Sequence, residues 1–185
     1  MKEIALNILD IVQNSIRAEA TRISVNLIEN KPGDKLTLII SDDGNGMDPE
    51  FLKKASDPFV TTRTTRRTGF GLALLKFHSE LTGGSFRIDS GIKKGTTVTA
   101  SFKISHPDRQ PFGDIAGVIT MLMFSNPAIS FEYFHITGNG TFSLSSRELR
   151  DTLGPDSLYD ISLIPDLKEY INNNLESIGS IEEER

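Results

Sequence analysis

The chain has 185 residues, with 20 Lys and Arg against 25 Asp and Glu, a formal charge of −5, 37% apolar residues and no cysteine. Such a composition belongs to a folded globular chain with room for one substantial core. It excludes disulfides, thiolate zinc sites and cysteine nucleophiles, and the acid excess argues against nucleic acid as a partner.

Met1-Lys2-Glu3-Ile4 lacks the apolar stretch of a secretory signal. The longest apolar run, Ile115 to Phe124, is too short and too punctuated to cross a bilayer. A cytoplasmic location without a membrane partner is therefore expected. Along the first helix, Ile4, Ile8, Ile11, Val12 and Ile16 recur at helical spacing as a buried stripe. A second stripe holds Asn7, Asp10, Asn14 and Arg17; at about 100° per residue the four fall within about 80° of one another. One side is thus expected to pack and another to present chemistry.

Arg22 to Glu29 alternates as a half-covered strand, and Lys31-Pro32-Gly33-Asp34 is a turn sequence. Leu36 to Ser41 is a more apolar, central strand, broken by Asp42-Asp43-Gly44-Asn45-Gly46. A short helix is predicted over Pro49 to Ala55, and a basic, threonine-rich loop over Asp57 to Thr68. Gly69-Phe70-Gly71 starts a helix, Leu72 to Leu81, ended by Thr82-Gly83-Gly84. A hairpin of Ser85 to Ser90 with Thr96 to Ile104 follows. His106 to Pro111 has the composition of a linker or domain edge. Beyond it the pattern predicts a helix near Asp114 to Phe124, then strands near Ser130 to Ile136 and Thr141 to Leu144 joined through Gly138-Asn139-Gly140. One or two helices complete the chain, the last near Asp166 to Ile178. His78, His106 and His135 fall on a helix surface, a linker and a strand, which gives no metal site.

Taken singly, Asp42-Asp43-Gly44-Asn45-Gly46 is an ordinary turn after a strand and Gly69-Phe70-Gly71 an ordinary helix start. Their order and separation say more. Leu9-Asp10-Ile11-Val12-Gln13-Asn14-Ser15, Asp42 to Gly46, Thr68 to Leu72 and Gly95-Thr96-Thr97-Val98 resemble, in sequence order, four motifs. These are the N box, two glycine boxes and closing threonine motif of the ATPase superfamily that contains histidine kinases, gyrase B, the ninety-kilodalton heat-shock chaperone and MutL. The resemblance covers roughly Ile4 to Ile104. Within it, Asp10 to Ile23 resembles MutL, whereas Asp57 to Arg63 and Gly69 to Leu74 resemble histidine kinases.

The resemblance implies an α+β fold, a two-layer sandwich (the Bergerat fold) with a mixed, mostly antiparallel sheet covered by helices on one face. It also implies ATP and Mg²⁺ as cofactors. Asp42 would accept a hydrogen bond from the adenine amine, with Thr96 supporting the same edge, and Gly44 and Gly46 would admit the nucleotide closely. Asn14 would be the Mg²⁺ ligand and Arg17 a residue facing phosphate. Gly69 and Gly71 would offer backbone amides to the phosphates at a helix start, with Thr68, Phe70 and Leu72 the other nucleotide-binding residues of that box. Thr61, Thr62 and Arg63 would belong to a lid that closes over ATP. Asp10 stands where gyrase B and MutL carry a catalytic glutamate, but one methylene shorter.

Residues 1–106 are expected to form the ATP-binding domain and 107–185 a small C-terminal α/β extension offering a partner or dimer surface. The leading functional expectation is a slow ATPase whose nucleotide state regulates a protein partner, with homodimerisation a second mode of association. Two alternatives stay open: a protein kinase of the anti-sigma-factor or histidine kinase type acting on a separate protein, and a non-hydrolysing ATP sensor.

Overall fold

The computed structural model describes residues 3–57 and 70–180. Its first element is helix α1 (Ile4–Arg17). Strands β1 (Arg22–Asn30) and β2 (Lys35–Asp42) follow, then the short helix α2 (Pro49–Leu52) and helix α3 (Phe70–Leu81). Strands β3 (Ser85–Ser90) and β4 (Thr96–Lys103) form the expected hairpin. Helix α4 (Ile115–Ser125) precedes a second hairpin, β5 (Ser130–Thr137) and β6 (Gly140–Ser145). Helix α5 (Ser146–Leu153), two short 3₁₀ turns and helix α6 (Ile164–Ser177) close the chain.

All six strands among the described residues belong to one sheet in the order β3-β4-β2-β1-β5-β6. Every neighbouring pair is antiparallel except β1 and β5, which run parallel with Val25 opposite Tyr133. Residues 107–180 thus contribute strands to the sheet that the first hundred residues begin. The period of two in β1 and β2 sends Ile23, Val25, Leu27, Leu36, Leu38 and Ile40 to one buried face, leaving Ser24, Asn26, Thr37 and Ile39 half-buried on the other. The fold is the two-layer α+β sandwich that the resemblance implies.

α1 lies on the buried face through Ile4, Ile8, Ile11 and Val12, all at most 3% exposed. Its first turn has no side-chain cap. The amides of Ile4 and Ala5 instead donate to the carbonyls of Pro111 and Phe112, at 2.8 and 2.9 Å. These are two of the four donors that a helix start leaves unsatisfied. The segment expected as a linker therefore acts as the cap of α1. Asn7 is drawn into the same junction. It is fully buried and donates to Gln110 Oε1 at 2.8 Å, so it does not join Asp10, Asn14 and Arg17 on a solvent-facing stripe. Tertiary burial overrides helical periodicity there.

A second polar junction is buried between β1, β5 and the last described residues. Glu29 Oε1 lies 2.6 Å from His135 Nε2 and accepts from Ser180 Oγ at 2.6 Å, while Tyr133 OH lies 2.7 Å from His135 Nδ1. Burial, and then the charge of Glu29, push the Tyr133 hydroxyl well above its ordinary value. Glu29 is the shared partner of His135 and Ser180, and a buried polar group left without its acceptor is costly, so Glu29→Ala should lower stability in urea by about 1–3 kcal/mol. In the wild type the folded state keeps a Tyr133 proton that the unfolded chain releases. Stability should therefore fall as pH climbs past 10.0, with the tyrosinate absorbance of Tyr133 appearing only as the protein unfolds.

Candidate functional site

The C-terminal half of α1 meets the end of β2 and the start of α3, and the start of β4 joins them through the end of β2. Asp42, the last residue of β2, is the common point. Its Oδ2 accepts from Ser15 Oγ on α1 at 2.5 Å. Its Oδ1 accepts from the amides of Gly44 at 3.0 Å and Thr96 at 3.1 Å. A carboxylate offers about four acceptor directions, so three bonds hold the group firmly and leave capacity for one more donor. Thr96 is placed by the Asp42↔Thr96 register of β2 and β4, and its hydroxyl lies 3.0 Å from Ser90 Oγ.

Ser15 lies within the N-box match but has no role assigned there, and the structure shows that it holds Asp42. A signal for it exists: Ser15 falls on the buried phase of α1, four residues after Ile11. A small polar side chain there needs an internal partner, and Asp42 is that partner.

The turn after β2 is fastened on both sides. Asp43 accepts from the Thr21 and Arg22 amides at 2.7 and 2.8 Å and from Thr21 Oγ1 at 2.7 Å. Burial alone would raise the Asp43 carboxyl, but these donors outweigh it and hold the group below its ordinary range. Asn45 donates its amide to Ala18 O at 2.7 Å and its side chain to Glu19 at 3.0 Å. Glu19 takes a left-handed φ of 61° at the end of α1, and these bonds help fix that turn.

The glycines are set first by backbone packing. A Cβ on Gly44 would lie 2.7 Å from Ala18 O. On Gly46, at φ 66°, it would lie 2.0 Å from Gly91 O, and on Gly95, at φ 75°, 1.9 Å from Asp42 O. The resemblance gives Gly44 and Gly46 a close approach by the nucleotide; contact between neighbouring backbones already requires both.

Asp10 and Asn14 are both partly buried and lie one turn apart on α1. The Asp10 carboxylate rests against the first turn of α3: a Cβ on Gly71 would come within 1.6 Å of Asp10 Oδ2. The Asn14 carboxamide oxygen accepts from Arg17 at 2.7 Å, and the same guanidinium donates to Gln13 at 3.3 Å. Asn14 Oδ1 thus already faces a cation. Leu72 is half-buried against the core. Thr61, Thr62, Arg63, Thr68 and Gly69 lie outside the described residues, as does the side chain of Phe70. Asp10, Asn14, Arg17, Asp42, Gly44, Gly46, Gly71 and Thr96 occupy one connected region, joined through α1 and the ends of β2 and β4.

The family model of histidine kinase-, DNA gyrase B- and HSP90-like ATPases matches residues 2–106. The chain belongs to this ATPase family. The matched segment, spanning α1 to β4, is its ATP-binding domain. A putative sensor protein of Shewanella frigidimarina is 28% identical over 103 residues, covering 55% of this chain and 16% of the relative. Sporulation kinase D of Bacillus subtilis is 30% identical over 105 residues, covering 50% of this chain and 21% of the kinase. Sensor protein SrrB of Staphylococcus aureus is 35% identical over 97 residues, covering 41% and 17%. The chain spans only about a fifth or less of these curated relatives. A crystal structure described as the N-terminal domain of a DNA repair protein matches with a TM-score of 0.60 over 85% of this chain and 59% of that one, at 22% identity. That likeness is one of fold, and it extends past the ATPase segment. No helix among the described residues is long and apolar enough to cross a membrane.

Two alanine substitutions separate fold from site in this ATPase domain. Gly95→Ala forces a left-handed φ and a backbone clash, and should cost about 2 kcal/mol or more in urea denaturation. Gly71→Ala meets only the movable end of Asp10, inside a helix that favours alanine. It should leave the melting temperature unchanged or slightly raised while displacing the Asp10 carboxylate. Loss of nucleotide binding or turnover in a stable Gly71→Ala protein is the expected result.

Proposed function

We propose that this ATPase domain binds Mg-ATP and hydrolyses it slowly, its nucleotide state regulating a protein partner. The observation that carries this reading is the alignment on α1: Ser15 fixes Asp42 at one end of the site, and Asp10 reaches α3 at the other. Asn14 lies between them. In the reading, Asp42 uses its remaining acceptor direction for the adenine amine, supported by Thr96. A guanine would turn an oxygen toward that carboxylate, a mismatch worth about 1–3 kcal/mol.

Two hard oxygen donors on one side of a helix, a carboxamide and a carboxylate, suit Mg²⁺, which takes few protein ligands and keeps waters and phosphate oxygens. Asn14 Oδ1 would hold the ion, which neutralises phosphate charge. Its present partner, Arg17, is one turn away and would transfer its guanidinium to phosphate when the metal arrives. The amides at the start of α3, with Gly71 among them, would receive phosphate oxygens at the positive end of the helix. Thr61, Thr62 and Arg63 would keep the lid role that the resemblance implies.

Asp10 then accepts a proton from the attacking water as the bond to the terminal phosphoryl group forms and ADP departs. General-base help of this kind is worth about 10²–10⁴-fold. The shorter reach of aspartate places the activity at the low end. The sensor and kinase names of the relatives favour a second reading, transfer of the phosphoryl group to a hydroxyl or imidazole of another protein.

Incubation with γ-labelled ATP and Mg²⁺, with and without cell extract, separates these readings. Hydrolysis predicts free phosphate from the purified protein, reduced about 100-fold by Asp10→Asn while ATP binding persists. Asn14→Ala should weaken Mg²⁺-dependent binding itself. Label on an extract protein, with no phosphate released, would establish the kinase reading instead.

A further inference from the structure

A second cavity, of about 430 Å³, lies in the C-terminal part of the fold between β6, α5, the 3₁₀ turns and α6. None of its lining comes from α1 to α3 or β1 to β5, so it is separate from the nucleotide region. Six leucines form its wall: Leu144, Leu149, Leu153, Leu158, Leu163 and Leu167. The volume suits an inserted side-chain cluster or a small organic molecule. Its apolar character continues beyond the mouth. Leu153 and Tyr170, both lining residues, are 57% and 51% exposed, and Tyr159 and Ile161, on the adjoining 3₁₀ turns, are 66% and 76% exposed. A small molecule held within the cavity would leave that rim bare, whereas a chain segment laid across the mouth would cover both.

Two further observations define what the cavity receives. Ser157 lines it, is only 7% exposed, and its hydroxyl has no hydrogen-bond partner among the described residues. A buried hydroxyl without a partner costs roughly 1–3 kcal/mol, which an incoming polar group would relieve. The charges at the mouth have one sign. Glu148 and Asp166 line it without ion pairs among the described residues, and no Lys or Arg lines it. The basic residues of α5 and α6 are engaged elsewhere: Arg147 with Asp151 at 3.8 Å, Arg150 with Pro127 O at 3.1 Å, and Lys168 with Asp114 at 2.6 Å.

We propose that this cavity docks a basic amphipathic segment of a protein partner. Apolar side chains of the segment fill the leucine-walled pocket, its Lys or Arg residues pair with Glu148 and Asp166, and one polar group meets Ser157. The acidic rim disfavours anionic lipid and nucleic acid. A symmetric contact between two copies would set acid against acid. The proposal supplies a docking site for the partner in the reading above, yet it needs no nucleotide. Binding is therefore measured without ATP, and its failure is distinct from failure of the ATPase reading.

A displayed library of random peptides of about 14 residues, four helical turns, is selected on the whole protein and counter-selected on Leu153→Glu. That substitution is at an exposed position and leaves the core intact. The proposal expects enriched peptides with leucine or aromatic anchors at helical spacing and an excess of Lys and Arg. Their affinity by fluorescence anisotropy should fall at least tenfold on Leu153→Glu and about tenfold on combined Glu148→Gln and Asp166→Asn, with melting temperatures unchanged. Any of four results would overturn it: no enrichment over the counter-selection, peptides without net positive charge, a dimer of this chain that Leu153→Glu dissolves, or octylammonium binding as tightly as the selected peptides.

Discussion

The Asp42 carboxylate is the constraint on which the rest of the site depends. It joins a helix, a strand end, a glycine turn and a neighbouring strand through one side chain, with Ser15 Oγ, the Gly44 amide and the Thr96 amide all donating to it. Remove that charge and the three donors lose a shared acceptor in a part-buried place, where an unmade hydrogen bond costs more than a made one returns. The glycine contacts around it follow from the same closeness. Gly95 packs on the Asp42 carbonyl, and Gly44 on the end of α1. The site is thus rigid where it would recognise a base. At Asn14 the carboxamide oxygen is held instead by the exposed Arg17.

α1 divides its surface between these duties. Its N-terminal turn is capped by Pro111 and Phe112 and locked by the Asn7–Gln110 bond, while its C-terminal turns carry Asp10, Asn14 and Ser15. The position of Asp10, Asn14 and Ser15 is therefore set partly by residues beyond the matched ATPase segment. The sheet makes a second link in the same direction: β5 pairs with β1, and Glu29 on β1 is buried with His135 on β5 and Ser180.

Local signals in the sequence were enough for most elements. The apolar stripe of α1, the alternation of β1, and the Asp114 cap of α4, whose side chain accepts from the Gly117 amide, are each properties of a few neighbouring residues. What local pattern does not carry is long-range pairing. Nothing in Ser130–Thr137 says that it lies parallel to β1, because a parallel strand's partner lies far along the chain. Asn7 has the right spacing for the solvent stripe, and only the arrival of Gln110 buries it. The Glu29 junction left a trace: Glu29 falls in the buried phase of Ile23, Val25 and Leu27, a place where a carboxylate demands a partner. Ser15 left a similar one. Polar residues out of phase in otherwise regular elements were thus the most informative positions left unused.

The most direct test of the account is calorimetric titration of ATP and GTP, each with Mg²⁺, into the wild type and Asp42→Asn. A carboxylate held for an amine predicts ATP favoured over GTP by at least about tenfold, equivalent to about 1.4 kcal/mol. The preference should be largely lost in Asp42→Asn. Equal affinity for the two nucleotides in the wild type, or a preference that survives the substitution, would contradict the role given to Asp42.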